Sequence, residues 1–249
     1  PGVGKNLQDH LQARPVFKTT LSTVNTEINS YLKKGLIAAK YAFTQRGPMT
    51  MAASLGTGFL KTEAHLETPD IQFHIQPWSA LKPADGPHKF SAFTASVLQL
   101  RPESAGHLTL SSANIDDHPE IHPNYLSTDT DCRTIVKGIQ IARRIAQSEP
   151  LKSHITEEYA PGVGVALEDE VATLEWARQT SVTIYHPTGT CKMGIDPMAV
   201  VDPSLKVKGI RGLRVADASI MPRIVSGNTN APAIMIGEKA SQLVLEDAS

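Results

Sequence analysis

The sequence is poor in cysteine, has no cluster of positive charge and contains no long apolar run. Its two cysteines, Cys132 and Cys191, are too few and too distant for a disulfide framework, which favours a reducing compartment. The 24 Lys and Arg residues balance 25 Asp and Glu residues, which argues against nucleic acid and anionic membrane as partners. No stretch approaches the ~18 consecutive apolar residues of a membrane-spanning helix. We therefore expect a cytoplasmic protein, with peripheral membrane association as the alternative.

The opening of the chain also lacks two familiar features. It begins Pro1-Gly2-Val3-Gly4, without an initiator Met or a signal peptide, so we expect it to be part of a longer protein. The glycines of "GVGKNL" match only part of the G-x-G-x-x-G dinucleotide fingerprint, because the third glycine is missing and no strand precedes them. A tight turn explains these glycines better.

Alternation of apolar and polar residues predicts several strands. The predicted strands cover residues 11–17, 70–78, 93–100 and 106–110. The second of them places His74 on its polar side and is expected to be half-buried, with that side open to solvent or to a cavity. The turn-like "RPESAG" predicts that the last two strands form an antiparallel hairpin or meander, and the Pro-rich segment 111–125 predicts a loop.

Helical spacing of apolar residues predicts three helices before the last third of the chain. They cover residues 28–43, 129–147 and 168–179. The first places Leu32, Leu36, Ala39 and Phe43 on one face. In the last third, Leu213–Ser219 predicts a short strand that ends near an aspartate, and 227–247 predicts a loop leading into a helix. This order is typical of half a nucleotide-binding crevice.

The segment "YHPTGTCKMG" (Tyr185–Gly194) concentrates the reactive side chains. A phosphate loop is excluded because Lys192 follows Cys191 instead of glycine. A metal site is not expected, because His186 and Cys191 lack further ligands at short repeated spacing. Cys191 as a nucleophile stays open, although a small packing residue is favoured. From the residues alone, His186 is either a catalytic base or a hydrogen-bonded structural histidine.

Three terminal blocks occur in a fixed order: "YHPTGTCKMG", "GLRVADASIMP" and "GNTNAPAIMIGEKA". They resemble the C-terminal blocks of the glucose–methanol–choline family of flavin-dependent oxidoreductases. "PGVGKNLQDH" and "PDIQFH" resemble that family's middle block and a strand of its substrate domain. Within the family, the sequence is most similar to the choline dehydrogenase and alcohol dehydrogenase branch.

This resemblance implies a mixed α+β and α/β fold, of which the chain supplies the C-terminal half. That half comprises an antiparallel-sheet substrate domain and the closing strand and helix of a Rossmann-like FAD domain. The implied segments are a connection from the FAD domain (1–20), the substrate-binding domain (21–185) and the C-terminal part of the FAD domain (186–249). The family's G-x-G-x-x-G half is missing, so we expect weak FAD binding and turnover by this chain alone.

The resemblance also implies an activity: oxidation of a primary or choline-like alcohol to an aldehyde, with hydride transfer to N5 of FAD. Oxygen or a quinone would accept the electrons, and the enzyme could be a homo-oligomer. His186 matches the catalytic base and Asn230 its partner. The implied FAD-binding residues are Asp217, Ala218, Asn228, Thr229 and Asn230, and the implied substrate-binding residues are His74 and Trp78.

The chemistry agrees with these assignments. A histidine has a pKa near neutrality, which suits a base that removes a hydroxyl proton, and an asparagine amide can donate to the forming alkoxide. Helix capping would explain Asn228 and Asn230 equally well without the resemblance. We expect His10 to be structural, with Asp9 as its partner. The rival hypotheses are an inactive, cofactor-free fragment or interaction module, and a hydrolase that uses Cys191.

Overall fold

The computed structural model describes residues 1–52, 54–80 and 86–248. It divides into two compact units. The first unit comprises Pro1–Leu11, Leu100–Cys132 and Thr183–Ser249, and the second comprises Gln12–Gln99 and Arg133–Val182. The boundaries 1–20, 21–185 and 186–249 stay a prediction.

Strands and helices of the described residues mix along the whole chain. The strands are β1 (Lys5–Leu7), β2 (Leu11–Ala13), β3 (Val16–Thr19), β4 (Gly56–Leu60), β5 (Ile71–Gln76), β6 (Ala92–Gln99), β7 (Gly106–Thr109), β8 (Glu120–His122), β9 (Ile155–Ala160) and β10 (Val182–Thr183). The α-helices are α1 (Val24–Glu27), α2 (Tyr31–Thr44), α3 (Asp129–Ala146), α4 (Glu170–Thr180) and α5 (Asn230–Ala248). All three helices predicted before the last third are present, each displaced by at most three residues.

The antiparallel sheet of the second unit is built around β6. One edge of β6 pairs with β5, which pairs in turn with β4. The other edge pairs with β2 and β3, and β9 pairs with β3. Pro15 separates β2 from β3, because proline has no N–H to contribute to the ladder. The predicted antiparallel substrate-domain sheet is confirmed.

The expectation that β5 is only half-buried is wrong. Its apolar face packs near α3, where a Cβ on Gly138 would lie 3.7 Å from Ile71 Cγ2 of β5 and 2.8 Å from Val97 Cγ2 of the neighbouring β6. Its polar face is buried as well, with Gln72 and His74 both in the interior. The alternation therefore marks two faces, one apolar and one polar, and both are buried except at Ile75. A period-2 pattern indicates the side of the sheet on which a residue lies, but it does not determine whether that side is exposed to solvent.

The predicted hairpin of β6 and β7 is also wrong, because the two strands belong to different sheets. In the first unit, β7 pairs with β1 on one edge and with β8 on the other. The connection "RPESAG" is held by Asp131, which accepts hydrogen bonds from the backbone N–H groups of Glu103 and Ser104. The segment 111–125, predicted as loop, contains β8.

In the C-terminal part of the first unit, the predicted helix is confirmed, whereas the predicted strand is wrong. Residues 213–219 form no strand, since Arg214 makes only an isolated bridge to Lys206. Asp217 instead accepts a hydrogen bond from Ser219 N (2.8 Å) and begins a 3₁₀ turn. One apolar cluster joins this turn to α5: Val200, Val201, Leu205, Ile220, Met221, Ile236 and Ala240. Among the described helices, none is both long enough and apolar enough to cross a bilayer.

Candidate active site

Two distant segments of the first unit meet through their backbones. Gln8 and Thr188 exchange hydrogen bonds, Gln8 N to Thr188 O at 3.0 Å and Thr188 N to Gln8 O at 2.8 Å, and Ile184 N donates to His10 O. In this antiparallel register, the residue two beyond Gln8 lies opposite the residue two before Thr188. The register therefore sets His10 opposite His186.

The imidazole rings of His10 and His186 are hydrogen-bonded through their Nδ1 atoms, 2.9 Å apart. His10 has no exposed surface and His186 retains 8%. Nε2 of His10 lies 3.0 Å from the carbonyl oxygen of Leu100. A carbonyl can only accept, so in the neutral pair His10 carries its proton on Nε2 and its Nδ1 is the acceptor. His186 must then carry its proton on Nδ1, which leaves a lone pair on Nε2.

The unprotonated nitrogen of His186, Nε2, faces an amide donor. Asn228 Nδ2 lies 3.4 Å from His186 Nε2, and the Asn228 side chain is exposed. One nitrogen of His186 is thus fixed by a buried partner, and the other faces an exposed residue. This is the arrangement that a general base requires.

Asp9 holds the backbone on which both histidines are mounted. Its Oδ1 accepts from the backbone N–H of His10 (2.8 Å) and of His186 (3.0 Å). Its Oδ2 accepts from the hydroxyl groups of Tyr125 and Thr183. Burial, followed by the hydrogen bond to Asp9, raises the pKa of Tyr125, so the phenol remains a donor. Four donors on one carboxylate fix its position.

Burial lowers the pKa of His186 below its ordinary value of 6.5, and the negative charge of Asp9 opposes this shift only partly. Desolvation acts in this direction because it disfavours the charged imidazolium. His186 is therefore neutral at physiological pH, and its Nε2 is ready to accept a proton.

Asn6 and Gln8 attach the neighbouring loops to the same segment. Asn6 Nδ2 donates to the carbonyl oxygens of Gly189 and Pro222, and Gln8 Nε2 also donates to Pro222. Gly189 has a positive φ of 92°, and a Cβ there would lie 2.3 Å from Asn6 O. Gly189, three residues after His186, is thus required because the backbone of Asn6 approaches it closely.

The residues predicted to bind FAD lie at two turns of the first unit. Asp217 begins the 3₁₀ turn that contains Ala218. Thr229 is buried, and its carbonyl accepts from Ala233 N at the start of α5. Asn230 is the first residue of that helix and is exposed. The structure brings Asn228 to His186, and the catalytic role of Asn230 and the cofactor roles of the set stay predictions.

The two predicted substrate-binding residues belong to the second unit. His74 is buried in β5, and its carbonyl oxygen accepts from Ser96 Oγ (3.0 Å). Trp78 is half-buried, and the guanidinium carbon of Arg14 lies 5.5 Å from the centre of its ring. Their contact with a substrate stays a prediction.

Cys191 occupies a packing position. It is partly buried against the apolar cluster around α5, and its backbone N–H donates to Ser219 O. The neighbouring Lys192 pairs with Asp196 at 3.0 Å. The geometry favours the packing interpretation over a nucleophile. Within the part of the chain that the structure describes, no group of three or more His, Cys, Asp or Glu could hold a metal ion.

The sequence predicted a structural role for His10 with Asp9 as its partner, and Asp9 does accept from the backbone N–H of His10. It did not predict that the ring nitrogens of His10 are hydrogen-bonded to His186 and to the carbonyl oxygen of Leu100. It did not identify Tyr125 as a ligand of Asp9. The available signal was the density of hydrogen-bonding side chains in a segment of five residues, of which all but Asn6 are buried.

Solved structures place this fold in a class. The chain resembles a variant formate oxidase of Aspergillus oryzae RIB40, studied for its FAD modification, with a TM-score of 0.89 and 25% identity over 99% of this chain and 48% of that one. It also resembles pyridoxine 4-oxidase, with a TM-score of 0.78 and 25% identity over 97% of this chain and 43% of that one. The class is therefore that of the fold shared by these two proteins, both of which are named as oxidases.

Sequence comparison then gives the family. Residues 102–237, more than half of the chain, match GMC oxidoreductase. The chain is 41% identical to the alcohol dehydrogenase [acceptor] of Pseudomonas putida, covering 98% of this chain and 44% of that protein. It is thus a member of the GMC oxidoreductase family, as the terminal blocks predicted, and it spans less than half the length of this relative.

Proposed function

We propose that this chain supplies the substrate-oxidising half of an FAD-dependent alcohol oxidoreductase, in which Nε2 of His186 is the base. The observation that supports this most directly is the hydrogen bond between His10 and His186, which leaves Nε2 unprotonated. The lone pair on Nε2 faces the exposed residue Asn228, where an alcohol hydroxyl could take the place of the amide.

The residues at the start of α5 fit a flavin. The first N–H groups of this helix have no partner within it, and its positive dipole end favours electron-rich ligands. Asn228, Thr229 and Asn230 precede or begin the helix, and Asp217 lies at the neighbouring turn. We propose that these residues hold FAD together with polypeptide outside this sequence. When bound, FAD supplies the acceptor for the electron pair of the substrate C–H bond.

In this proposal, the chain's own residues handle the proton. Nε2 of His186 takes the hydroxyl proton of the alcohol, while its Nδ1–H keeps the hydrogen bond to His10. The nearby negative charge of Asp9 favours the resulting imidazolium. The amide of Asn228 is placed to donate to the forming alkoxide oxygen. Asn230 stays a second candidate for this donor.

We propose a neutral alcohol as the preferred substrate over choline. A quaternary ammonium group is usually held against the face of an aromatic ring. The predicted aromatic wall, Trp78, already has the cationic side chain of Arg14 against its ring at 5.5 Å. A second cation on this ring would meet a like charge.

A chimera tests the function. The chain would be joined to the part of the Pseudomonas putida alcohol dehydrogenase that it does not cover, loaded with FAD and mixed with primary alcohols and with choline under anaerobic conditions. We expect rapid bleaching of the flavin by alcohols. The matched variant Cys191→Ser should behave like the parent, and loss of activity in that variant would favour the cysteine alternative. A chimera that folds but binds no flavin would favour the cofactor-free interaction module.

The electron acceptor and the cellular setting are further parts of the proposal. We propose a cytoplasmic enzyme whose reduced flavin passes its electrons to a quinone or to oxygen. Oxygen uptake measured with and without a soluble quinone distinguishes the two acceptors. A homo-oligomer is also proposed, and light scattering during gel filtration measures its size.

A further inference from the structure

Helix α2 presents its most apolar stripe to solvent. Leu32, Leu36 and Phe43 are 74%, 62% and 89% exposed, and Ala39 between them is exposed as well. These four residues share one helical face, as their spacing predicted. An amphipathic helix normally turns such a stripe inward, so this orientation requires a reason.

The opposite side of α2 contacts the protein only weakly. Ile37 and Tyr41, which lie away from the stripe, are the half-buried residues of the helix, and none of its side chains is buried. The helix ends at Gln45, which has a left-handed backbone conformation, and Pro48 follows shortly after. The helix is therefore a defined element whose outward face is more apolar than its inward face.

The segment that contains α2, residues 28–62, carries only positive charge. From residue 28 to residue 62 the sequence contains no Asp or Glu. Its charged residues are Lys33, Lys34, Lys40, Arg46 and Lys61. The expectation against an anionic membrane partner rested on the net charge of −1 for the whole chain, and this local excess of positive charge is the reason to revise it for α2. Since 100° separates successive residues, Lys33 and Lys40 lie along one border of the apolar stripe.

Another helix with several exposed apolar residues, α5, differs in charge. Helix α5 exposes Ile234, Met235 and Leu245, yet it carries Glu238, Glu246 and Asp247 against a single lysine. An apolar surface alone is therefore not specific to α2. The combination of an apolar stripe with flanking lysines and no acidic residue is what distinguishes α2.

We propose that α2 is a membrane-docking helix that lays Leu32, Leu36 and Phe43 into the headgroup boundary of a bilayer containing anionic lipids. The lysines beside the stripe extend their charged ends to lipid phosphates while their stems cover apolar surface. Charge complementarity favours an anionic lipid surface over a second copy of this chain, because the lysines of two copies of α2 would repel each other. The proposal is independent of the flavin chemistry and would bring the enzyme to alcohols dissolved in the membrane.

Vesicle co-sedimentation tests the stripe. The FAD-loaded chimera and the chain itself would be mixed with vesicles of phosphatidylcholine, and with vesicles of equal parts phosphatidylcholine and phosphatidylglycerol. We expect binding to the anionic vesicles that falls at least about tenfold in the triple variant Leu32→Glu, Leu36→Glu, Phe43→Glu. The control triple variant makes the same change in charge at exposed apolar residues elsewhere: Leu110→Glu, Ile115→Glu and Val163→Glu. It should bind as the parent does.

A second variant set tests the charge without adding negative residues. The triple variant Lys33→Gln, Lys34→Gln, Lys40→Gln should lose binding to anionic vesicles, whereas the same change at exposed lysines elsewhere, Lys89, Lys152 and Lys239, should not. All variants are compared by circular dichroism to verify folding.

Three results would overturn the proposal. The first is absence of binding, or equal loss in a control variant. The second is self-association that depends on the stripe, seen by light scattering without vesicles. The third is binding by the chain but not by the chimera, which would mean that further polypeptide covers α2. A chimera that binds vesicles but fails to bleach with alcohols would contradict the proposed function alone.

Discussion

Replacing His10 is the sharpest perturbation of the histidine pair. A glutamine places its amide where His10 Nε2 lies, and so keeps a donor for Leu100 O but offers no acceptor at the position of Nδ1. An asparagine places its carbonyl oxygen near the position of Nδ1 and can still accept from His186. His10→Gln and His10→Asn thus remove the two hydrogen bonds of His10 one at a time.

The size of the effect follows from the burial of the pair. His10 has no exposed surface, so water cannot replace the acceptor that His10→Gln removes from His186 Nδ1–H. Leaving a buried donor unsatisfied costs about 1–3 kcal/mol. Because 1.4 kcal/mol corresponds to a factor of ten, the tautomer with a lone pair on Nε2 becomes about 5–150-fold less favoured. We expect kcat for alcohol oxidation in the chimera to fall by this factor, with KM little changed.

The tautomer can be read directly by NMR. Long-range ¹H–¹⁵N correlation on histidine-labelled protein distinguishes protonated from unprotonated ring nitrogens. In the parent, His186 should show a protonated Nδ1 and an unprotonated Nε2. His10→Asn should preserve this pattern and most of kcat, whereas His10→Gln should shift it. An unprotonated Nδ1 in the parent, or equal loss of kcat in both variants, would refute the reasoning.

Three further predictions concern stability. Because burial lowers the pKa of His186 in the folded protein, the unfolded chain binds a proton at this residue more readily. The free energy of unfolding should therefore fall as the pH drops below 6.5, and it should fall less in His186→Gln. Urea titrations at several pH values measure the difference. Gly189→Ala should destabilise by at least about 1–3 kcal/mol, because its φ and a close backbone oxygen oppose a Cβ, whereas Gly164→Ala, which has open space, should not. Tyr125→Phe removes a donor from Asp9 and should cost about 1 kcal/mol by the same titration, while the exposed Tyr185→Phe should be neutral.

The elements of the second unit could be predicted because local pattern determines them. Strand β5 and helices α2, α3 and α4 each have a periodic run of residues, and each is present within a few residues of its predicted bounds. The errors concern partners. The end of β6 and the start of β7 are close in sequence, yet their hydrogen bonds go to different sheets. Pairing is a tertiary property that no window of sequence contains.

Of the two histidines in the candidate site, only His186 was predicted as a site residue. Its position follows from the resemblance of a single loop to a family motif. Its partner His10 lies 176 positions earlier, and only the pairing of Gln8 with Thr188 brings the two rings together. The sequence does not distinguish Asn228 from Asn230; the structure places the Asn228 amide 3.4 Å from Nε2 of His186, and the role of Asn230 stays a prediction.

The central claim is that Nε2 of His186 removes the alcohol proton. The most direct test is the rate of anaerobic flavin reduction by a primary alcohol in the FAD-loaded chimera and in its His186→Ala variant. We predict normal flavin content and a reduction rate about 10²–10⁴-fold lower in the variant. A variant that loads FAD and reduces it at the parental rate would contradict the account.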